Sequence, residues 1–298
     1  MQDHVVHHAD YTKLVIGHAR MEKLWTGARW LEGPAYYAAG RYLVVSDIPN
    51  NRILRFDETD GGVSVFRSPC GFTNGHSYDR QGRLVSCEHQ GRCVSRTEHD
   101  GSRTVLADRF ESKRLNSPND VVVKSDGSVW FTDPTYGIDS DYEGDAATSE
   151  IGASNVYRID PVTQAVTAVA TDRVRPNGLA FSPDESLLYV ADTGASHVAG
   201  LPMTIHAYPV QGATLGPAKL FATSAVGMYD GFRLDVLGNV WTSAGNNVHC
   251  YAPDGRLLGA IPMPERVANL CFGGPKKNRL YIAAQTSLYA LYLKVSGA

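Results

Sequence analysis

LNSPNDVVVKSDGSVWFTDPTYG, residues 115–137, is the stretch that decides the fold. Val121, Val122 and Val123 form a β-branched run, Lys124-Ser125-Asp126-Gly127 reads as a tight turn, and Val129-Trp130-Phe131-Thr132 as the returning strand of a hairpin. A hairpin alone needs neither Asn116 nor the Pro118-Asn119-Asp120 run that precedes its first strand. Oxygen-bearing side chains at that point can face a shared cavity.

The second half of the hairpin recurs along the chain. It appears at Gly40-Arg41-Tyr42-Leu43-Val44-Val45-Ser46-Asp47, Gly82-Arg83-Leu84-Val85-Ser86-Cys87-Glu88, Glu185-Ser186-Leu187-Leu188-Tyr189-Val190-Ala191-Asp192, Gly238-Asn239-Val240-Trp241-Thr242-Ser243 and Asn278-Arg279-Leu280-Tyr281-Ile282-Ala283. With the opening stretch this makes six units at intervals of roughly forty to sixty residues, the period of propeller blades. Third strands follow at Arg52-Ile53-Leu54-Arg55-Phe56-Asp57, Asn155-Val156-Tyr157-Arg158-Ile159-Asp160 and Asn247-Val248-His249-Cys250-Tyr251, with outer strands near residues 165–170 and 219–223. A four-stranded antiparallel unit cannot bury both faces alone, so the units must pack radially. The expected fold is all-β, a six-bladed β-propeller with four antiparallel strands per blade. The last blade lacks a fourth strand, which residues 20–25 are expected to supply.

The sequence has 298 residues, and no low-complexity linker divides them. A single domain over 1–298 is expected, with residues 1–10 as a flexible tail. A net charge of −3 with interspersed signs gives no basic stripe for nucleic acid and no polybasic patch for membrane. The start carries Asp3, His4, His7 and His8 instead of a basic region and an apolar core, so a cytoplasmic location is expected. Five cysteines without C-x-x-C spacing read as free thiols, Cys87 and Cys93 being the one pair placed for a bridge.

Before each inner strand stands a carboxylate or an amide: Leu31-Glu32-Gly33-Pro34, Thr73-Asn74-Gly75-His76, Pro118-Asn119-Asp120, Pro176-Asn177-Gly178, Tyr229-Asp230-Gly231 and Ala268-Asn269-Leu270. Singly, Asn-Gly and Asp-Gly are ordinary turn formers. In a propeller, equivalent positions converge at one end of the channel, and such a ring is a hard, all-oxygen site suited to calcium, magnesium or manganese.

These residues carry a resemblance over nearly the whole chain. Glu32-Gly33-Pro34, Arg114-Leu115-Asn116-Ser117-Pro118-Asn119-Asp120, Trp130-Phe131-Thr132-Asp133-Pro134, Tyr136-Gly137, Pro176-Asn177-Gly178-Leu179-Ala180-Phe181-Ser182-Pro183-Asp184 and Asp230-Gly231 resemble the SMP-30/gluconolactonase/luciferin-regenerating family, especially its bacterial gluconolactonases. The resemblance implies Glu32, Asn177 and Asp230 as metal ligands, Asn119 as a fourth ligand or substrate contact, and Asp230 as general base. One divalent cation is implied, calcium first, with zinc, manganese, magnesium or iron as alternatives. In relatives with a shorter Arg-x-Asn-Asp motif the arginine contacts substrate; here Asn116-Ser117-Pro118 intervenes, and Arg114 is not carried over. Asn116, Asn74, His76, Tyr136 and Asn269 are assigned to the pocket wall, to substrate, or to a place behind the ligands that supports them.

The expected activity is metal-dependent hydrolysis of a sugar-derived aldonolactone by a monomer or homodimer, with a polarised carbonyl and an activated water. No G-x-S-x-G elbow supports a serine nucleophile. Two alternatives stand beside this reading: phosphotriester hydrolysis at the same metal, and a non-enzymatic interaction module with a structural metal. Residues 138–154, polar and acidic, are long for a hairpin loop and read either as a cover over the channel mouth with Tyr136 that shapes the pocket or as a mobile surface loop without a role.

Overall fold

A computed structural model describes residues 4–298. The fold is an all-β six-bladed propeller of antiparallel blades. Their inner strands are Leu31–Tyr37, Thr73–Tyr78, Val121–Val123, Pro176–Phe181, Phe232–Leu234 and Val267–Gly273. Numbered in that order, blade 3 contains the deciding hairpin, with Val121 opposite Phe131, Val122 opposite Trp130 and Val123 opposite Val129. Its turn closes through Lys124 N to Ser128 O at 2.9 Å, and Gly127 takes the positive φ of +85° that the turn requires.

Strand alternation explains how a blade with two apolar faces is buried. Successive side chains leave opposite faces of a strand, so Phe131 packs with Val85, Cys87 and Val94 of blade 2, whereas Trp130 packs with Leu179, Leu188 and Val190 of blade 4. The other four blade junctions repeat the arrangement. The core is thus a ring of inter-blade layers, and fully burying residues such as Phe131 stabilises each layer by about 2–3 kcal/mol per side chain.

The ring closes as expected, with small differences at the N-terminal side. Glu22–Thr26 forms the outer strand of blade 6, antiparallel to Ser287–Tyr292. Before it, the segment expected to be a flexible tail is built into blade 5 where it is described. Val5–Val6 adds a fifth strand, with Val5 opposite Ala260, and Tyr11 packs on Trp241 with ring centroids 6.0 Å apart. The reason is an apolar edge: Tyr11, Leu14 and Val15 are buried among blade 5 and blade 6 side chains. Met1, Gln2 and Asp3 lie outside the described residues. All five cysteines are free and buried; Cys93 stands opposite Glu88 and Cys87 opposite Val94, so their strand positions do not face each other. No helix among the described residues is long and apolar enough to cross a membrane.

Candidate active site

Each blade delivers its polar residue at the start of the inner strand, and the following residue decides how closely the blades approach. Asn177-Gly178 lies within the strand Pro176–Phe181 and is not a turn. A Cβ on Gly178 would stand 2.2 Å from the Asp230 carbonyl oxygen, which instead accepts a hydrogen bond from Gly178 N at 3.0 Å. Gly75 meets Asn119 in the same way, with N to O at 2.7 Å. Glycine at this register lets neighbouring inner strands bond across the channel wall.

The result is a cavity of about 240 Å³ at one channel mouth, lined by Glu32, Asn74, Asn119, Asn177, Asp230 and Tyr136. The four expected ligands therefore converge. Glu32 accepts hydrogen bonds from Gly33 N at 2.8 Å and from the Asn269 side chain. Burial holds its carboxyl well above the usual range, and the nearby charge of Asp230 raises it further. Burial likewise raises Asp230, with Asp120 and Glu143 adding to the effect and Arg266 and a hydrogen bond from Asn177 opposing it. Beneath the ring, Arg233 of blade 5 reaches Asp120 of blade 3 at 3.3 Å.

Asn74 has a well-defined orientation. The ring of His89 lies 2.9 Å from Glu143 O through Nδ1 and 3.3 Å from Asn74 Nδ2 through Nε2. Both bonds form when Nδ1 carries the proton and Nε2 accepts, a neutral tautomer consistent with burial pushing His89 down to about 4. That arrangement fixes the Asn74 amide, whose Oδ1 is buried without a protein partner among the described residues. The Asn119 side chain makes no hydrogen bond there either.

Of the remaining expected residues, two lie away from the cavity and Asn269 takes the supporting place behind a ligand. Asn116 is fully buried away from the cavity: its Nδ2 donates to Asp133 O at 2.9 Å and Ala153 O at 2.8 Å, and its Oδ1 accepts from Ser149. It ties the 138–154 insertion to blade 3, which uses every polar atom it has. His76 is further down the channel, between Ser46 and Ser86 at 2.8 Å each, and lines a separate cavity of about 390 Å³ at the opposite mouth. Burial lowers it to about 3. Asn269 does not line the cavity but supports Glu32 from behind, its Oδ1 accepting from Leu270 N at 2.8 Å. Tyr136 is at the mouth, its hydroxyl 2.7 Å from Thr193 Oγ1 and 2.9 Å from Ser196 Oγ.

The cavity also contains residues the sequence reading did not single out, chiefly Glu143, Arg266, Trp30 and Ser196. Arg266 lies over the Trp30 ring at 5.8 Å and supplies a cation on the rim. Ser196 Oγ is 2.7 Å from His197 Nδ1, and His197 Nε2 is 3.3 Å from Asp139. Ser196 nevertheless donates its proton to Thr193 O at 2.7 Å, which makes it a support for the Tyr136 phenol and not an activated nucleophile.

A family model for the SMP-30/gluconolactonase/LRE-like region matches residues 30–286. The chain belongs to this family. It is 30% identical to a gluconolactonase of Zymomonas mobilis over 93% of this chain and 82% of that protein. It is 28% identical to a pentonolactonase of Haloferax volcanii over 86% of this chain and 82% of that one. A solved gluconolactonase structure from Xanthomonas campestris superposes with a TM-score of 0.91 at 39% identity, covering 98% of this chain and 94% of the other.

Within this SMP-30/gluconolactonase-like ring, the donor set fits a hard divalent cation. Among the described residues no three His, Cys, Asp or Glu side chains group to hold a metal. The ring instead combines two mutually repelling carboxylates with amides, one of which presents an orphaned buried oxygen. A divalent ion between Glu32 and Asp230 would relieve both their burial and their repulsion.

Proposed function

We propose that the protein hydrolyses a sugar-derived lactone, an aldonolactone, at the mouth of the channel. The observation that carries the proposal is the convergence of Glu32, Asn119, Asn177 and Asp230 from four blades in one cavity, in a chain whose relatives are named lactonases. Glu32, Asn119, Asn177 and Asp230 would hold one divalent cation. That ion, when bound, supplies Lewis-acid polarisation of the lactone carbonyl and charge stabilisation of the oxyanion.

The protein's own groups handle the protons. Asp230 accepts a proton from the attacking water as its oxygen bonds to the carbonyl carbon, giving a tetrahedral adduct. Collapse of the adduct breaks the ring C–O bond, and the proton passes from Asp230 to the departing ring oxygen. The product is the open-chain hydroxy acid. Asn177 donates to Asp230 and fixes the carboxylate's orientation throughout. Tyr136, pinned by Thr193 and Ser196, bounds the cavity at its mouth.

No observation favours the phosphotriester or the non-enzymatic alternative over this reading. The test is a pH-stat assay over a panel of aldono-1,4- and aldono-1,5-lactones, with spontaneous opening subtracted. Acid release well above the blank on at least one of them is expected. A blank-level rate across the panel with metal-loaded protein would refute the proposal.

A further inference from the structure

We infer that Glu143 is a specificity-determining residue: its carboxylate accepts hydrogen bonds from the hydroxyls of a polyhydroxylated substrate and so selects sugar lactones from plain ones. The inference rests on the lactonase reading and adds to it a residue outside the channel ring.

Glu143 belongs to the 138–154 insertion, yet its position is set by backbone contacts on both sides. His89 Nδ1 holds the Glu143 carbonyl at 2.9 Å. Ala146 N bonds Asp141 Oδ1 at 2.8 Å, and Ala147 N bonds Ile138 O at 3.0 Å. At Gly144 the chain passes so near residue 137 that a Cβ would stand 2.1 Å from Gly137 O. A segment held in this way presents the Glu143 side chain to the same cavity as Glu32, Asn119 and Asp230.

The carboxylate has no hydrogen-bond donor among the described residues. Burial without a partner pushes it up to about 7, and its charge bears on Asp230. Half-buried at the cavity wall, the carboxylate faces only solvent there, and a bound ligand that displaces this water has to supply donors in its place. Glu143 does not complete a three-carboxylate metal cluster with Glu32 and Asp230, because no such group forms among the described residues. The substrate is the ligand that enters this cavity. A carboxylate accepts through about four lone-pair sites when ionised, and the hydroxyl donors of a sugar ring favour that form. A ligand lacking those hydroxyls leaves the group unpaired, and the site discriminates against it for that reason.

The experiment compares wild type, Glu143→Ala and Glu143→Gln on glucono-1,5-lactone and on δ-valerolactone, which has the same ring and no hydroxyls. Calorimetric binding of glucono-1,5-lactam, which resists hydrolysis, is measured in parallel. Glu143→Ala is expected to lower kcat/KM for gluconolactone by about 10–100-fold, mainly through KM, while valerolactone changes by less than about 3-fold. Glu143→Gln, which retains one acceptor oxygen, should fall between. An equal loss on both lactones would show that the residue only shapes the loop, and no loss on either would show that it touches nothing; each overturns the inference. If wild type hydrolyses neither of these two lactones, the wider aldonolactone panel decides the lactonase reading and the lactam decides the role of Glu143 separately: weaker binding by Glu143→Ala upholds the role, whereas unchanged or undetectable binding overturns it.

Discussion

Glu32 is buried and Asp230 half-buried at the same cavity, close enough for the charge of Asp230 to raise Glu32, and Asp230 is the residue proposed as both ligand and base. The two roles separate on substitution. Asp230→Asn keeps an oxygen of nearly the same shape but cannot take a proton. At saturating metal its kcat is expected to fall by about 10²–10⁴-fold, and near-wild-type kcat in a pH-stat assay would remove the base assignment. The sequence reading found these two residues and their amide neighbours because each occupies the same register before an apolar strand. It misplaced His76 and Asn116 because register along the chain does not reveal depth along the channel or which neighbours satisfy a side chain. His76 is two residues beyond Asn74, far enough down its strand to leave the mouth. Asn116 precedes the blade 3 strand and turns toward the insertion instead. Glu143 was hidden for another reason: a loop has no period, so nothing in the run Asp141-Tyr142-Glu143-Gly144-Asp145 marks which carboxylate turns inward.

The elements that carry the ring are strands whose alternation was readable, and the hairpin of residues 115–137 formed in the expected register. What periodicity could not show was how blade edges are joined, and Glu265 at the entrance to blade 6 is an example. Burial alone would raise this carboxylate, but hydrogen bonds from Ser287 Oγ, Tyr289 OH, and both Thr286 Oγ1 and N hold it down to about 2. These bonds tie the turn before blade 6 to the strand Ser287–Tyr292, which also receives the closing strand. A group depressed in the folded state lends stability above its unfolded value of 4.5, and that contribution is lost as pH falls toward 2. Glu265→Gln should therefore flatten the fall in stability between about pH 4.5 and 2, besides destabilising the protein at neutral pH. Urea titrations across that range would show it, and parallel pH profiles for variant and wild type would count against the assignment.

On the scale of the molecule, the propeller is a closed ring whose ends are sewn together by residues from opposite termini. Glu22–Thr26 covers the edge of Ser287–Tyr292, while Val5–Val6 and Tyr11 brace blade 5. Removal of residues 1–26 exposes both edges and opens part of the buried layer, and the melting temperature is expected to fall by more than about 10 °C. An unchanged melting temperature would mean that closure does not depend on this segment. The ring matters to function because the candidate ligands come from blades 1, 3, 4 and 5, so no single hairpin contains the site. The proposed chemistry depends on that convergence being a working cation site. The most direct measurement is pH-stat hydrolysis of the best aldonolactone after exhaustive chelation and again after calcium, magnesium, manganese, zinc or iron(II) is restored. The rate should drop to the spontaneous background on chelation and return with at least one ion, and Glu32→Gln should need at least about 100-fold more of that ion for half-recovery. Chelated protein that retains the full rate, or a Glu32→Gln variant that recovers at the wild-type ion concentration, would contradict the account.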